Sequence, residues 1–127
     1  WKHKILKARH SPIRYLQFSF YLEDIPSYVS VHLVRHVHSQ PYVKSQRNDR
    51  QSDYDRTKAP QDTPVNMIWD MNANKRLCRL ADPVTRSVVQ KMCDEVSSVN
   101  PEFKDFLVPN CQYLGECKEM FSCKRGG

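Results

Sequence analysis

Glycine is nearly missing from this chain. Of its three glycines, Gly126 and Gly127 sit at the very end, so no glycine-rich loop is left to cradle a phosphate. Dinucleotide-binding and P-loop readings are thereby excluded. Long apolar runs are missing too: none exceeds a few residues, which leaves no membrane-spanning helix and no secretory hydrophobic segment to expect within the chain. There is no run of lysine or arginine of the kind that tracks a phosphate backbone, because acids are scattered among the cations; this argues against nucleic acid as the main partner. Internal repeats and low-complexity tracts are absent. So is an initiating methionine, since the chain opens on Trp1, and further residues are expected before it.

What is present fits one modest core. A length of 127 residues with 39% hydrophobic content predicts a single domain spanning residues 1–127. The formal net charge of +6 and a pI near 9.2 predict attraction to anions, whether polymeric or small and phosphorylated. The cysteines number five. Cys78 and Cys93 lie in helix-like contexts where a buried, reduced thiol is the ordinary reading, and a cytoplasmic protein is expected.

Along the chain, Lys2 to Lys7 reads as a short basic helical piece, broken by His10-Ser11-Pro12. From Tyr15 to Leu22, Leu16, Phe18, Phe20 and Leu22 alternate with Tyr15, Gln17, Ser19 and Tyr21, which predicts a half-buried antiparallel strand. Asp24, Pro26 and Ser27 punctuate a helix start. Tyr28, Val31, Leu33 and Val34 give that helix an apolar stripe, with His32, Arg35 and His36 as a polar patch beside it. Pro41 ends the helix and extends the chain through Tyr42 and Val43. Residues 48–64 read as a long polar loop containing at most one helical turn. Val65, Met67, Ile68 and Met71 predict a second helix. A third starts at Asp82-Pro83, an N-cap followed by a first-turn proline, and buries Val88, Val89, Met92, Cys93 and Val96. Phe103, Phe106 and Leu107 add core beyond Pro101.

Chemistry concentrates between Val31 and Arg50. His32, His36 and His38 accompany Arg35, Lys44, Arg47 and Arg50, with Ser45 and Gln46 between them. Arginine forks two hydrogen bonds onto a phosphate, and imidazole stacks on a ring or carries a proton, so the composition suits a nucleotide. A solvated basic loop accounts for the same residues. Cys111, Cys117 and Cys123 are separated by five residues each, looser than common structural zinc spacings, and form only a weak metal set. Asp53 and Asp55 lie in a charged loop and read as solvated. His10 reads as a residue that orients its turn.

Several pieces in order resemble the flavin-dependent thymidylate synthases. They are His10-Ser11-Pro12-x before the Phe18/Phe20 strand; Arg35-His36-Val37, then Ser45 and Arg47; Arg56 four residues before Pro60; Asn72; Arg76-Leu77-Cys78 with Ala81 and Arg86; and the tail Cys111, Gly115, Cys117 and Cys123. The resemblance implies an α+β fold, a twisted antiparallel sheet flanked by helices, assembled as a homotetramer with sites between subunits. It implies reductive methylation of dUMP to dTMP with methylenetetrahydrofolate, FAD and NADPH. Carried over by position, Ser11, Arg35, His36, Val37, His38 and Asn72 fall on flavin-binding positions. His32, Arg35, Ser45, Gln46, Arg47, Arg56 and Arg76 fall on substrate-binding ones. Arg76 falls on the arginine that activates the pyrimidine, where a fixed guanidinium stabilises charge developing on the ring.

The signature also departs from the family. Val37 stands in place of an arginine, Val43 in place of a glutamate and Asn48 in place of a tyrosine. Asn72 and Arg76 are about one helical turn apart where the family has roughly three, as if residues were missing between Ala73 and Asn74. Related outcomes stay open: another one-carbon modification such as hydroxymethylation, or a non-catalytic nucleotide or nucleic-acid binder without flavin.

Overall fold

The alternation at the start of the chain is realised in strand β1 (Gln17–Pro26), where Phe18, Phe20 and Leu22 are half-buried and Gln17, Ser19 and Tyr21 exposed. A computed structural model describes residues 1–8, 11–36, 39–45, 55–72, 82–117 and 120. It divides the chain into two units, Trp1–Phe18 with Asn72–Gly127, and Ser19–Met71. The described chain is α+β, with a three-stranded sheet in which β3 (Pro64–Asn72) lies between β1 and β2 (Ser39–Val43).

The unit Ser19–Met71 holds that sheet and one helix. Strand β1 extends further than its alternation predicts, to Pro26, with Asp24 at φ 49° inside it. Helix α2 (Ser27–Val34) follows at once. Pro26 lacks a side-chain cap, so the first amides of α2 are satisfied from the chain before β3. Ser27 N–H donates to the Thr63 carbonyl at 3.0 Å, Tyr28 N–H to the Gln61 carbonyl at 3.0 Å, and Ser27 Oγ to the same Gln61 carbonyl at 2.7 Å. The buried face of α2 is Val29, Ser30 and Leu33, not the predicted Tyr28, Val31, Leu33 and Val34 stripe; Val31 and Val34 are 49% and 40% exposed. Apolar residues fall on more than one side of this helix, and the buried face includes Ser30, whose hydroxyl is satisfied by the Ser27 carbonyl at 2.7 Å, so the apolar period alone could not say which side faces inward.

Strand β2 (Ser39–Val43) carries Pro41, as the extension after that proline predicts, and pairs antiparallel with β3 (Pro64–Asn72) from Ser39↔Met71 to Val43↔Met67. The helix predicted over Val65–Met71 is therefore corrected to a strand. Val65, Met67, Ile68 and Met71 fit spacings of three and four, but Val65 and Met67 are buried on one face while Asn66 lies between them and faces the other way. Pairing with β2 satisfies the backbone of this segment and decides against the helix. Within this unit, α2 packs on β2.

The other unit is helical. Helix α1 (Lys2–Ala8) is followed by a 3-10 turn at Ser11–Tyr15, which takes Tyr15, the first residue of the predicted strand. Helix α3 (Pro83–Val99) begins where Asp82-Pro83 predicts. Asp82 Oδ2 accepts from Thr85 N–H at 2.9 Å and from Thr85 Oγ1 at 3.2 Å, and Thr85 is 1% exposed. Val89, Met92, Cys93 and Val96 are buried along one face of α3. Phe103, Phe106 and Leu107 join this core, with Phe103 meeting Phe18 edge to face at 5.3 Å. Helix α4 (Asn110–Leu114) ends on Gly115 at φ 75°, a left-handed cap that glycine adopts without strain. Tyr113 ties α4 to α1 by donating its hydroxyl to the Lys7 carbonyl at 2.9 Å. Among the described residues no helix is long and apolar enough to cross a membrane.

Candidate functional site

The predicted polar patch lies at the C-terminal end of α2. His32 is exposed and meets Tyr28, one turn earlier, edge to face at 6.4 Å. Arg35 caps the helix in αR geometry with its side chain exposed, and the half-buried His36 closes the turn as its N–H donates to the Leu33 carbonyl at 3.2 Å. A helix C-terminus carries partial negative charge from its unsatisfied carbonyls, so it holds the Arg35 guanidinium favourably. Its field also attenuates the pull of Arg35 on an anion.

Strand β2 returns the chain along the sheet. Beyond Val43, Lys44 continues the β2–β3 register, its N–H donating to the Asn66 carbonyl at 2.9 Å, and Ser45 follows half-buried. The unit thus presents Arg35 and His36 at one end of the α2–β2 connection, and Ser45 where β2 gives out. A guanidinium and a hydroxyl are donors of the kind a phosphate or carboxylate accepts from. Arg56 opens a 3-10 helix, Arg56–Lys58. Beside it Thr57 donates both its hydroxyl, at 2.6 Å, and its N–H, at 3.0 Å, to Asp55 Oδ1. Those bonds, the side-chain one first, hold the Asp55 carboxyl below its ordinary value. The solvated reading of Asp55 matches its exposure.

The other sequence-derived site residues distribute as follows. Ser11 begins the 3-10 turn of the helical unit, exposed, and Asn72 ends β3. Because Asn72 terminates a strand, the one-turn helical relation drawn from it to Arg76 has no helix to run through at its start. Val37, His38, Gln46, Arg47 and Arg76 lie outside the described residues, as do His10, Asp53, Cys78 and Cys123.

Cys111 and Cys117 are free, half-buried thiols, and among the described residues no group of three or more His, Cys, Asp or Glu side chains is arranged to hold a metal ion. Cys93 is free and buried, in line with the reduced-thiol reading, and burial pushes its thiol up to about 11, with the neighbouring Asp94 charge adding to it.

Two features escaped the sequence. One is Asn66, whose Nδ2 donates to Tyr21 Oη at 3.2 Å while its Oδ1 accepts from Asp24 N–H at 3.0 Å. Nothing local to Asn66 marks it, since both partners lie more than forty residues away. The other is an apolar groove of about 280 Å³ in the helical unit, lined by Ile5, Leu6, Leu16 and Phe103, with Lys2 and Glu102 paired at its rim at 3.0 Å. Of its lining, Leu16 and Phe103 stood out in the sequence as apolar strand and core residues, but the gap left between them and α1 did not. Against known proteins, no family model, no curated protein and no solved structure matches this chain.

Proposed function

We propose that this chain is a divergent protein of the flavin-dependent thymidylate synthase type, and that it grips a pyrimidine nucleotide, dUMP in the leading case, at the end of α2 and beyond β2. The observation that carries the reading is the placement of Arg35 and Ser45. The two halves of the resembling motif occupy one compact unit, at the cap of a helix and the end of the strand it packs on. In this reading Ser45, Gln46 and Arg47 grip the nucleotide's phosphate beyond the end of β2, His32 and Arg35 face the nucleotide from the other end of that strand, and Arg56 completes the substrate side. Arg76 stabilises negative charge on the pyrimidine, so that no enzyme nucleophile is needed.

The donor chemistry at hand also fits the anionic part of FAD. Within the unit Ser19–Met71, Arg35 offers a forked cation and His36 an imidazole; Ser11, Val37, His38 and Asn72 are flavin-side positions by the resemblance alone. When bound, the flavin would supply the hydride, taken from NADPH, that reduces the one-carbon unit transferred from methylenetetrahydrofolate to the pyrimidine. The protein's part is to hold the two rings and keep the substrate's charge neutralised. The finer fold assignment, a homotetramer with sites between subunits and a cytoplasmic setting belong to the same proposal.

Val37 favours a second reading. It puts an aliphatic side chain where the family places a cation, which weakens the flavin side of the site and leaves the nucleotide side alone. A protein that binds the nucleotide without flavin, or that delivers a different one-carbon group, accommodates this change. Purification decides between them. The yellow absorption of oxidised flavin, followed by NADPH oxidation that depends on dUMP and methylenetetrahydrofolate and a product heavier by one CH2 unit, is the expected outcome. A colourless protein that also fails to take up added FAD would sink both flavoenzyme readings.

A further inference from the structure

The groove of the helical unit is bounded by α1 and by the 3-10 turn Pro101–Phe103. Leu6 and Phe103 are buried where they line it, Ile5 is half-buried and Leu16 more open. Its volume is about 280 Å³, roughly twice that of an apolar cavity that takes a benzene ring. Two polar features of its lining restrict what can occupy it. The first is the Lys2–Glu102 pair at 3.0 Å, in which each charge already has its partner. Lys4 and Lys7, the other lysines of α1, do not line the groove. An anion would therefore have to take Lys2 from Glu102, whose side chain is only 24% exposed, and leave that carboxylate unpaired. The second is Asn100. Its backbone is fully used, the N–H donating to the Val96 carbonyl at 2.8 Å and the carbonyl accepting from Phe103 N–H at 3.1 Å. Its side-chain amide caps neither α3 nor the turn, and bonds no described residue.

We propose that this groove is a binding site for a small, neutral, apolar molecule carrying one hydrogen-bonding group. The apolar walls set the body of the ligand, and the volume holds two fused rings or a chain of about ten carbons, on the scale of the benzene cavity. The self-neutralised rim sets its charge at zero. The half-buried Asn100 amide sets its head group, since it offers one donor side and one acceptor side to a hydroxyl or an amide. Pockets of this kind, apolar with a single placed polar group, owe their affinity to the walls and their orientation to that group. The site lies wholly within the helical unit and uses none of the residues assigned to nucleotide or flavin, so it stands whether or not dUMP binds.

The test is calorimetric titration of the full chain with 2-naphthol at pH 7, beside naphthalene and the 2-naphthoate anion, with methyl NMR to locate the site. Saturable binding of 2-naphthol is expected, with shifts at the methyls of Ile5, Leu6 and Leu16 and none at Ile25. Asn100→Leu should weaken 2-naphthol about two- to tenfold, the worth of one neutral hydrogen bond, and should not weaken naphthalene. Leu16→Trp, at a position 42% exposed where added bulk does not strain the core, should fill the groove and remove most binding with unchanged circular dichroism. The proposal is overturned if 2-naphthol does not bind, or binds without shifting the Ile5 and Leu16 methyls. Equal or tighter binding of 2-naphthoate would overturn the neutral assignment, and an Asn100→Leu protein that binds 2-naphthol as the parent does would overturn the head-group assignment.

Discussion

The backbone N–H of Asp24, held at φ 49°, donates to Oδ1 of Asn66 at 3.0 Å. A left-handed backbone is costly for a residue with a side chain, though aspartate tolerates it better than most. The Asn66 amide offsets that cost and ties β1 to β3 just ahead of α2. Replacing Asn66 by alanine removes this bond and the one to Tyr21, and should destabilise the chain by about 1–2 kcal/mol. Asp24→Gly relieves the strain and should leave stability unchanged or raise it by up to about 1 kcal/mol. Urea unfolding of the two variants measures both; an Asn66→Ala protein as stable as the parent would contradict the role given to this amide.

Helix α3 rests on a cap that can be removed alone. Asp82→Ala deprives the Thr85 N–H and hydroxyl of their acceptor, at an expected cost of about 1 kcal/mol, and more if buried Thr85 finds no substitute. Asp82→Asn keeps a capping oxygen and should lose little. Loss of helical ellipticity with temperature, compared across the pair, is the measurement.

How much of this was legible in the sequence depended on how local the deciding interaction was. The β1 alternation and the Asp82-Pro83 start were readable because period and capping act within a few residues. Val65–Met71 was misread because its apolar spacing suits both a helix and a strand, and the choice was made by pairing with β2 more than twenty residues away. The facing of α2 was hidden because apolar residues fall on more than one side of it and because polar Ser30 is buried, its hydroxyl spent on the Ser27 carbonyl. At the site, the composition of Val31–Arg50 was visible early. That Arg35 would be a helix cap and Ser45 would follow the end of a strand required the fold.

Burial of Cys93 links stability to alkaline pH. Its thiol ionises near 9 when unfolded and is pushed up to about 11 in the folded chain. The folded state therefore keeps its proton longer, and the stability this contributes is whole below the unfolded value and is lost as pH rises through the folded one. Unfolding free energy should fall more steeply between those two values in the wild type than in Cys93→Ala. A thiol reagent at pH 8 should modify Cys93 only after unfolding. Identical pH slopes for the two proteins would contradict the assignment.

On the acid side, Glu102 accepts from Lys2 at 3.0 Å, and its carboxyl is held below its ordinary value of 4.5 by its own backbone N–H and by Lys2. A depressed carboxyl stabilises the fold above its unfolded value, and that contribution disappears as pH falls through the folded value. Because the pair is solvent-screened the effect on stability is small. The sharper readout is the Glu102 side-chain carbon shift by NMR, whose midpoint should move up toward 4.5 in Lys2→Ala. An unmoved midpoint would show that the backbone alone sets it.

The central claim is that the end of α2 and the residue beyond β2 grip a nucleotide. Calorimetric titration of the full chain with dUMP, alongside Arg35→Ala, tests it most directly. The account predicts saturable binding by the parent chain and a loss of roughly 10- to 100-fold in Arg35→Ala, as expected for a charge-assisted hydrogen bond to an anion. No binding of dUMP, or equal binding by both proteins, would contradict it.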